Sequence, residues 1–247
     1  MERTFYMSLS IDQGSYGSGQ VKSVVDVDLV LCIDATASMG PVIEATKKNA
    51  LNLPDDILRE ARAQGKEISH LRLRVIVFRD YRSDGEYAME MTDFFDLPAE
   101  KEDLNEVVSG IIASGGGDEP EDGLEALAYA MLSDWQPPRQ GTKRRQVIAV
   151  WTDASAHEIG YGKESPCYDN SLPVDFDELT DWWGDDESGD SKMHYESKRL
   201  VLFAPKVKPW PLLESSWDNV ILYPSVAGQG MKETDYKQIV YLLVKTI

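Results

Sequence analysis

The sequence predicts an α/β fold, a doubly wound, mainly parallel six-stranded sheet with helices on both faces. Two observations support this prediction. Apolar runs that suit strands alternate along the chain with segments of helical spacing, and most of these runs are apolar on nearly every residue, as in strands buried on both faces. A chain of 247 residues is long enough for one large domain. We therefore expect a single domain over residues 1–247, with an N-terminal extension at 1–26.

The first elements are extended. Two short extended pieces are predicted at 4–11 and 20–27, separated by a glycine-rich turn. The central strand of the core follows at 27–33, and helical spacing then predicts a helix from about residue 38 to residue 64. The first buried strand is thus followed by a loop and a helix, the order expected of a doubly wound sheet.

The rest of the chain keeps this alternation. Further strands are predicted at 72–80, 146–151, 199–204 and 219–223, with a short edge strand at 88–95. Helices are predicted at 101–113 and 233–245. Three glycines at 115–117 end the first of these helices, and Asp118 with Glu121 has the spacing of a capping box that would begin another helix.

Residues 158–197 interrupt the alternation. A connection this long in a compact domain is usually functional or disordered. The segment is rich in acidic residues and contains Trp182 and Trp183. These two tryptophans are either a docking patch for a basic partner or the apolar residues of a small folded subdomain.

The overall composition limits the classes of partner. The formal net charge is −18, and so acidic a surface repels nucleic acid and anionic lipid, so we expect cations, basic proteins or basic peptides as partners. Cys32 and Cys167 form neither a disulfide framework nor a metal-binding pair. The sequence shows neither a signal-peptide layout nor an apolar run of about 20 residues, so we expect a cytoplasmic protein that does not enter a membrane.

The oxygen-bearing side chains around the predicted strand ends point to metal binding. Asp34, Thr36 and Ser38 follow the central strand at alternate positions, Asp153 ends a later strand, and Asp118 opens a predicted helix. In an open α/β sheet, loops after neighbouring strands converge at the carboxyl edge. Carboxylate and hydroxyl oxygens suit Mg²⁺, Mn²⁺ or Ca²⁺ and suit zinc poorly. The sequence therefore predicts a site for a hard divalent cation at this edge.

This set of residues resembles the metal-ion-dependent adhesion site of the von Willebrand factor type A domain, also called the integrin I domain. Asp34, Thr36 and Ser38 match the family's first element, Asp153 matches its last, and Asp118 stands where a threonine is usual. The resemblance covers roughly residues 26–246 and is more similar to intracellular, bacterial-type members than to secreted adhesion domains.

The resemblance implies a Rossmann-like fold and a Mg²⁺, Mn²⁺ or Ca²⁺ ion that mediates binding of a protein partner at the metal edge. Thr36 and Ser38 would bind the ion directly, and Asp34 and Asp153 would bind directly or through water. It also implies a component of a regulatory, stress or defence complex. The acidic insertion at 158–197 would then lie at the metal edge.

Asp118 alters the expected charge of the site. With three aspartates the site with its ion would be about −1, which favours the cation and disfavours an acidic group from a partner. The partner would then supply a neutral oxygen, or the ion would be mainly structural. The alternative reading of Asp118 is a helix N-cap, and the two roles are compatible.

Two further functions remain open. A strand that ends in aspartate is similar to haloacid-dehalogenase-type phosphatases, but these need an acid two residues after the nucleophile, where this chain has Thr36. We therefore expect no enzyme, with a phosphatase-like metal hydrolase as the first alternative. A structural subunit with a vestigial metal site is the second.

Overall fold

The computed structural model of the protein describes residues 23–117, 119–185, 189, 191–225 and 236–247. In this part of the chain seven strands form one sheet: β1 Ser23–Asp34, β2 Lys66–Phe78, β3 Met89–Met91, β4 Phe95–Leu97, β5 Lys143–Trp151, β6 Lys198–Pro205 and β7 Val220–Ser225. The strand order is β3-β2-β1-β5-β6-β7, with β4 also paired to β2. Strands β1, β2, β5, β6 and β7 are parallel, whereas β3 and β4 are antiparallel to β2.

Helices cover both faces of the sheet, as predicted. The helices are α1 Gly40–Asn49, α2 Leu53–Ala63, α3 Tyr81–Asp84, α4 Lys101–Gly110, α5 Gly123–Met131, α6 Phe176–Trp183, α7 Trp210–Ser216 and α8 Tyr236–Thr246. One buried core contains residues of α1, α2, α4 and α8, and the other contains residues of α5, α6 and α7. None of the helices in these described stretches has the length and apolar character that crossing a bilayer would need.

Strand β1 is the centre of the sheet and separates the two cores. It pairs with β2 along its whole length and with β5 from Val25 to Ile33. Leu29 and Leu31 belong to one core, and Val30 and Cys32 belong to the other. Since both faces are buried, a strand in this position is apolar on nearly every residue. Cys32 is accordingly a buried core residue.

Several predicted boundaries differ from the structure. The extended piece at 20–27 and the strand at 27–33 are one strand from Ser23, and the predicted edge strand at 88–95 is two strands that both pair with β2, which gives seven strands instead of six. The predicted helix at 38–64 is two helices with a 3₁₀ turn at Ala50–Asn52 between them, because Pro54 suits only the first turn of a helix. The piece at 4–11, residues 20–22 of the second piece and residues 233–235 of the last helix lie outside the described residues.

Buried residues of the 158–197 segment pack into the second core, together with those of α5 and α7. The apolar residues of the segment include Leu172, Leu179, Trp182 and Trp183, all buried in the second core. The two tryptophans are therefore core residues and not an exposed docking patch. The buried Lys198 ammonium donates to the carbonyl oxygens of Trp183 and Gly184, which ties the end of α6 to the start of β6. Asp186, Glu187 and Asp190 of this segment lie outside the described residues.

A buried charge network lies beside β1, near its amino end. Asp28 is fully buried and accepts hydrogen bonds from Nε and Nη2 of Arg72, both at 2.9 Å, and from the backbone N–H of Gln136 at 2.9 Å. Arg144 pairs with Asp26 at 2.9 Å. Such a network contributes little net stability over an apolar replacement, but the loss of one partner leaves a buried charge without compensation.

Replacing Arg72 by leucine is therefore expected to destabilise the fold by about 3 kcal/mol, because the buried Asp28 would keep only the longer 3.4 Å ion pair with Arg144. The matched control is Arg62→Leu, whose exposed ion pair with Glu67 at 3.4 Å should contribute about 0–1 kcal/mol. Guanidinium denaturation of both variants measures the two free energies of unfolding. Equal losses would contradict the proposed importance of the buried pair.

Candidate functional site

The carboxyl ends of β1 and β5 lie side by side, because Ile33 pairs with Trp151 in the parallel register. Asp34 is the last residue of β1, and Asp153 follows β5 by two residues. The backbone N–H of Ala35 donates to the carbonyl of Phe78 at 2.9 Å, which holds the loop after β1 against the end of β2. Three strand ends thus bring their loops to one place.

Asp34 is fully buried, and both of its carboxyl oxygens accept hydrogen bonds. Oδ1 accepts from the backbone N–H of Thr36 at 2.9 Å and from its hydroxyl at 2.6 Å. Oδ2 accepts from the hydroxyl of Thr152 at 2.7 Å. Asp34 therefore fixes the loop of β1 against the loop of β5.

Ser38 makes the second link between these loops. Its hydroxyl donates to Oδ1 of Asp153 at 2.8 Å, and it lies 3.4 Å from the hydroxyl oxygen of Thr36. Four of the five residues predicted as metal ligands, Asp34, Thr36, Ser38 and Asp153, are therefore brought together by the fold. They come from two stretches of chain more than 100 residues apart.

The carboxyl groups of this cluster are buried away from water. The pKa of Asp34 is raised to about 6, chiefly by burial; the hydrogen bonds from Thr36 and Thr152 oppose this shift, and the charge of Asp153 adds a smaller contribution to it. Asp153 is also fully buried. Two carboxylates at this edge are therefore less costly when a proton or a cation accompanies them.

A turn of three glycines closes the cluster from the side of β2. Gly115, Gly116 and Gly117 all have positive φ, at 72°, 90° and 56°. A Cβ on Gly116 would lie 2.5 Å from Cγ2 of Thr36 and 2.7 Å from Oε1 of Glu121, so only glycine fits between these side chains. The turn is therefore part of the site's wall.

Arg79 anchors the segment before this turn, a role that the sequence analysis missed. It is buried, and it donates through Nη2 to the carbonyl of Ile112 at 2.9 Å and through Nε to the carbonyl of Ser114 at 3.1 Å. An arginine at the end of a strand resembles an ordinary surface charge in sequence. These two carbonyl partners lie more than 30 residues away, so only the fold reveals them.

Glu121 is an acidic residue of the site that the sequence analysis assigned to a capping box. It is buried, its Oε2 has no hydrogen-bond partner in the described residues, and it lines the same cavity as Thr36, Ser38 and Asp153. Burial raises the pKa of Glu121 to about 10, with Asp34 as the next contribution. A buried carboxyl oxygen without a partner beside a carboxylate cluster is a position that a bound cation would satisfy.

The predicted helix start at Asp118 is wrong. Helix α5 begins at Gly123, with Asp122 as its N-cap residue. Glu121 forms a β-bridge with Ala156, its N–H donates to the carbonyl of Ser155 at 3.1 Å, and these bonds keep the chain out of the helix. Asp118 is therefore not the cap of α5.

Asp118 lies outside the described residues, so its role as a ligand stays a prediction. Its neighbours Gly117 and Glu119 both line the cavity of about 210 Å³ at this edge. Within the described chain, no three His, Cys, Asp or Glu side chains form a group that would hold a metal ion by themselves. A cation held by the residues described at this edge would therefore use hydroxyl oxygens as well as carboxylates, the donor set that Mg²⁺ and Ca²⁺ accept.

A second group of side chains supports the edge from behind. His157 is buried, stacks on Tyr161 with a centroid distance of 3.8 Å, and lies 3.3 Å from Oδ2 of Asp80. Asp80 in turn accepts from the backbone N–H groups of Arg82 and Ser83 and begins α3.

Comparison with known families agrees with this geometry. A family model described as the von Willebrand factor A domain matches residues 28–163, more than half of the 247 residues. The matched region contains Asp34, Thr36, Ser38 and Asp153. No curated protein matched the chain.

Two solved structures are partly similar to this chain. The open conformation of the pilus adhesin SpaC from Lactobacillus rhamnosus GG is 14% identical with a TM-score of 0.38, and the match covers 53% of this chain and 15% of the adhesin. Proximal thread matrix protein 1 from the mussel byssus is 11% identical with a TM-score of 0.45, and the match covers 90% of this chain and 47% of that protein. The chain thus spans less than half of either structure, and neither likeness bears on function.

The metal-free protein is expected to lose stability as the pH rises. The raised pKa values of Asp34, about 6, and Glu121, about 10, mean that the folded state keeps protons that the unfolded chain releases above about pH 4–5. A divalent cation that replaces these protons should therefore stabilise the protein more at about pH 8 than at about pH 5.5. Thermal unfolding in EDTA and in MgCl₂ measures this, with a rise in Tm of about 5–10 °C at a 100-fold excess over Kd. An equal rise at both pH values would argue against proton–cation exchange.

Gly116→Ala is expected to weaken both the fold and cation binding. The new Cβ would meet Thr36 and Glu121 at 2.5 and 2.7 Å, in a backbone conformation that costs alanine about 1–3 kcal/mol. Gly110→Ala is the matched control, since a Cβ there meets nothing within 4 Å. Tm and Mg²⁺ titration of both variants test the expectation, and unchanged Mg²⁺ binding in Gly116→Ala would remove the glycine turn from the site.

Proposed function

The chain belongs to the von Willebrand factor A domain family, and we propose that it is a protein-interaction module whose partner binds through a divalent cation at the Asp34 edge. The observation that carries this proposal is the convergence of Asp34, Thr36 and Ser38 with Asp153 beside a cavity of about 210 Å³. Mg²⁺ is the favoured ion, with Mn²⁺ and Ca²⁺ as alternatives, because all the side chains offer oxygen.

The donor set fits such an ion. Thr36 and Ser38 present hydroxyl oxygens 3.4 Å apart, and they would bind the cation directly. Asp34 and Asp153 would bind the cation directly or through water, since Asp34 already accepts a hydrogen bond from Thr36 and Asp153 accepts one from Ser38. The unpartnered oxygen of Glu121 supports an additional carboxylate contribution from the wall of the cavity.

The charge of the site favours a particular kind of partner group. Asp153 and Glu121 line the cavity, the buried Asp34 lies close to both, and Asp118 would add a fourth carboxyl group. An ion with two positive charges does not offset more than two of them, so a further acidic group from a partner would be repelled. We propose that the partner supplies a neutral oxygen, such as a backbone carbonyl, an amide or a hydroxyl.

A groove beside the edge supports the docking of a protein segment. It has a volume of about 680 Å³, and its lining includes Ala156 and His157, which follow Asp153 closely in sequence. Val174 is 61% exposed and Leu212 is 46% exposed on its wall, so an apolar side chain of a partner would find contacts there.

The charge around this groove favours a basic partner. From residue 158 to residue 185 the sequence has eight acidic side chains and one basic side chain. Glu158, Asp175 and Asp177 line the groove and are exposed, with Lys208 as the opposite charge. A segment with one apolar residue flanked by lysine or arginine complements this surface.

We propose further that the module works in the cytoplasm as a component of a regulatory, stress or defence complex. This follows from the resemblance of the Asp34 motif to intracellular members of the family. A phosphatase-like hydrolase would need an acid where Thr36 stands, and the hydroxyl of Thr36 donates to Asp34 at 2.6 Å instead.

Asp34→Asn is expected to weaken Mg²⁺ binding at least about tenfold, or roughly 1.4 kcal/mol, because the cluster loses one of its buried charges. Asp103→Asn, a substitution of the same chemistry at an exposed position on α4, should leave binding unchanged. Isothermal titration with MgCl₂ and MnCl₂ measures the affinities, and hydrolysis of a generic phosphoester is assayed in parallel.

Capture of partners from the native host, with and without chelator, then links the ion to the interaction. A partner that is retained by wild type and lost both in chelator and in Asp34→Asn supports the proposal. Undiminished capture in chelator would make the ion structural, and Mg²⁺-dependent phosphoester turnover would favour the hydrolase instead.

A further inference from the structure

A group of basic side chains lies near the amino edge of the sheet, at the opposite end of the strands from Asp34. Lys66 is the first residue of β2, Lys143 is the first residue of β5, Arg145 follows two positions later, and Arg199 is the second residue of β6. We call these four residues the basic row. Strands β2 and β6 are three strand spacings apart, so the row extends over at least about 14 Å.

The hydrogen bonds of the basic row go to backbone carbonyls. Nζ of Lys66 donates to Val244 at 2.7 Å, Nε of Arg145 donates to Ile247 at 3.2 Å, and Nη1 of Arg199 donates to Glu196 at 3.2 Å. The first two acceptors belong to the end of α8, where the helix dipole favours cations. The end of α8 explains the direction of the Lys66 and Arg145 side chains. A helix end offsets only about half a charge, so most of the positive charge of the row remains.

No carboxylate of the described residues forms an ion pair with the row. Among the residues that the structure describes, no Asp or Glu oxygen lies within 4 Å of a charged nitrogen of any of the four. The nearby Arg72 and Arg144, by contrast, are paired with Asp28 and Asp26. The basic row is therefore an excess of positive charge in a chain with 43 acidic and 25 basic residues.

The four positive charges of the row repel one another. Burial and then the charges of Lys143 and Arg145 lower the pKa of Lys66. Burial and then the charge of Arg199 lower the pKa of Arg145 to about 10, with Glu196 as a weaker opposing influence. Half-buried cations that repel each other are stabilised when an anionic group approaches them.

We propose that the basic row is a docking site for an extended acidic segment of a partner protein. A single phosphate or carboxylate would contact only part of a row that extends over at least about 14 Å, whereas an extended peptide at about 3.3 Å per residue spans that distance with four or five residues and a longer row with a few more. Alternating Asp or Glu side chains along such a segment would reach successive members of the row.

Three other sources of negative charge fit less well. Residues 1–22, which precede β1, contain two acidic and two basic side chains and so bring no net charge. A terminal carboxylate on Ile247 would offset one of the four charges and leave the rest. A second copy would have to approach against a net charge of −18 on each chain.

Fluorescence polarisation with a labelled octa-glutamate peptide tests the proposal in EDTA, so that the result does not depend on the cation site. Wild type is expected to bind the peptide, more weakly at high salt. The double variant Lys143→Glu, Arg199→Glu should lose at least about tenfold in affinity, equivalent to roughly 1.4 kcal/mol. The control Lys48→Glu, Lys206→Glu makes the same change in net charge at exposed positions elsewhere and should bind nearly as wild type.

Equal peptide binding by the two double variants would overturn the proposal, and so would an absence of binding by wild type at low salt. If inorganic phosphate at low concentration displaced the peptide completely, the row would be a site for a small anion, and the proposal would be overturned. Sedimentation velocity tests whether a second copy of the chain occupies the row. A wild-type dimer that disappears in Lys143→Glu, Arg199→Glu would make a second copy the occupant and would also overturn the proposal.

Discussion

Asp34 is the residue on which the carboxyl edge of this molecule depends. Its carboxyl group accepts from Thr36 in its own loop and from Thr152 after β5, so one buried side chain sets the spacing between two loops. The parallel pairing of β1 with β5 makes this contact possible, and the hydrogen bond from Ser38 to Asp153 completes it. The result is a set of side-chain oxygens that hydrogen bonds hold in place at one edge of the sheet.

Much of the fold and part of the site were predictable from sequence, and the reasons are physical. A strand buried on both faces must be apolar throughout, so β1 was evident, and the side chains just after it must lie at the carboxyl edge. Asp34, Thr36, Ser38 and Asp153 were predictable on that basis. The ends of the helices and strands were less predictable, since a proline such as Pro54 can begin a new helix as readily as it ends one.

The residues that sequence did not reveal owe their roles to contacts between distant segments. Glu121 has the spacing of a capping box after Asp118, and only its bridge to Ala156 diverts it from a helix to the wall of the cavity. Arg79 looks like a surface charge until its carbonyl partners are known. The acidic insertion hides Trp182 and Trp183 among charged residues, although they form part of a core.

The carboxyl edge of the sheet carries the Asp34 cluster, and the amino edge carries the basic row. Both ends of the described chain lie at the amino edge. β1 starts there at Ser23, and Ile247 lies against Arg145. An affinity tag or fluorescent protein fused after Ile247 would emerge beside the basic side chains and leave the Asp34 edge accessible. Immobilising the protein through this end would thus present the cation edge to solution, while an acidic tag placed there would be held against the protein's own surface.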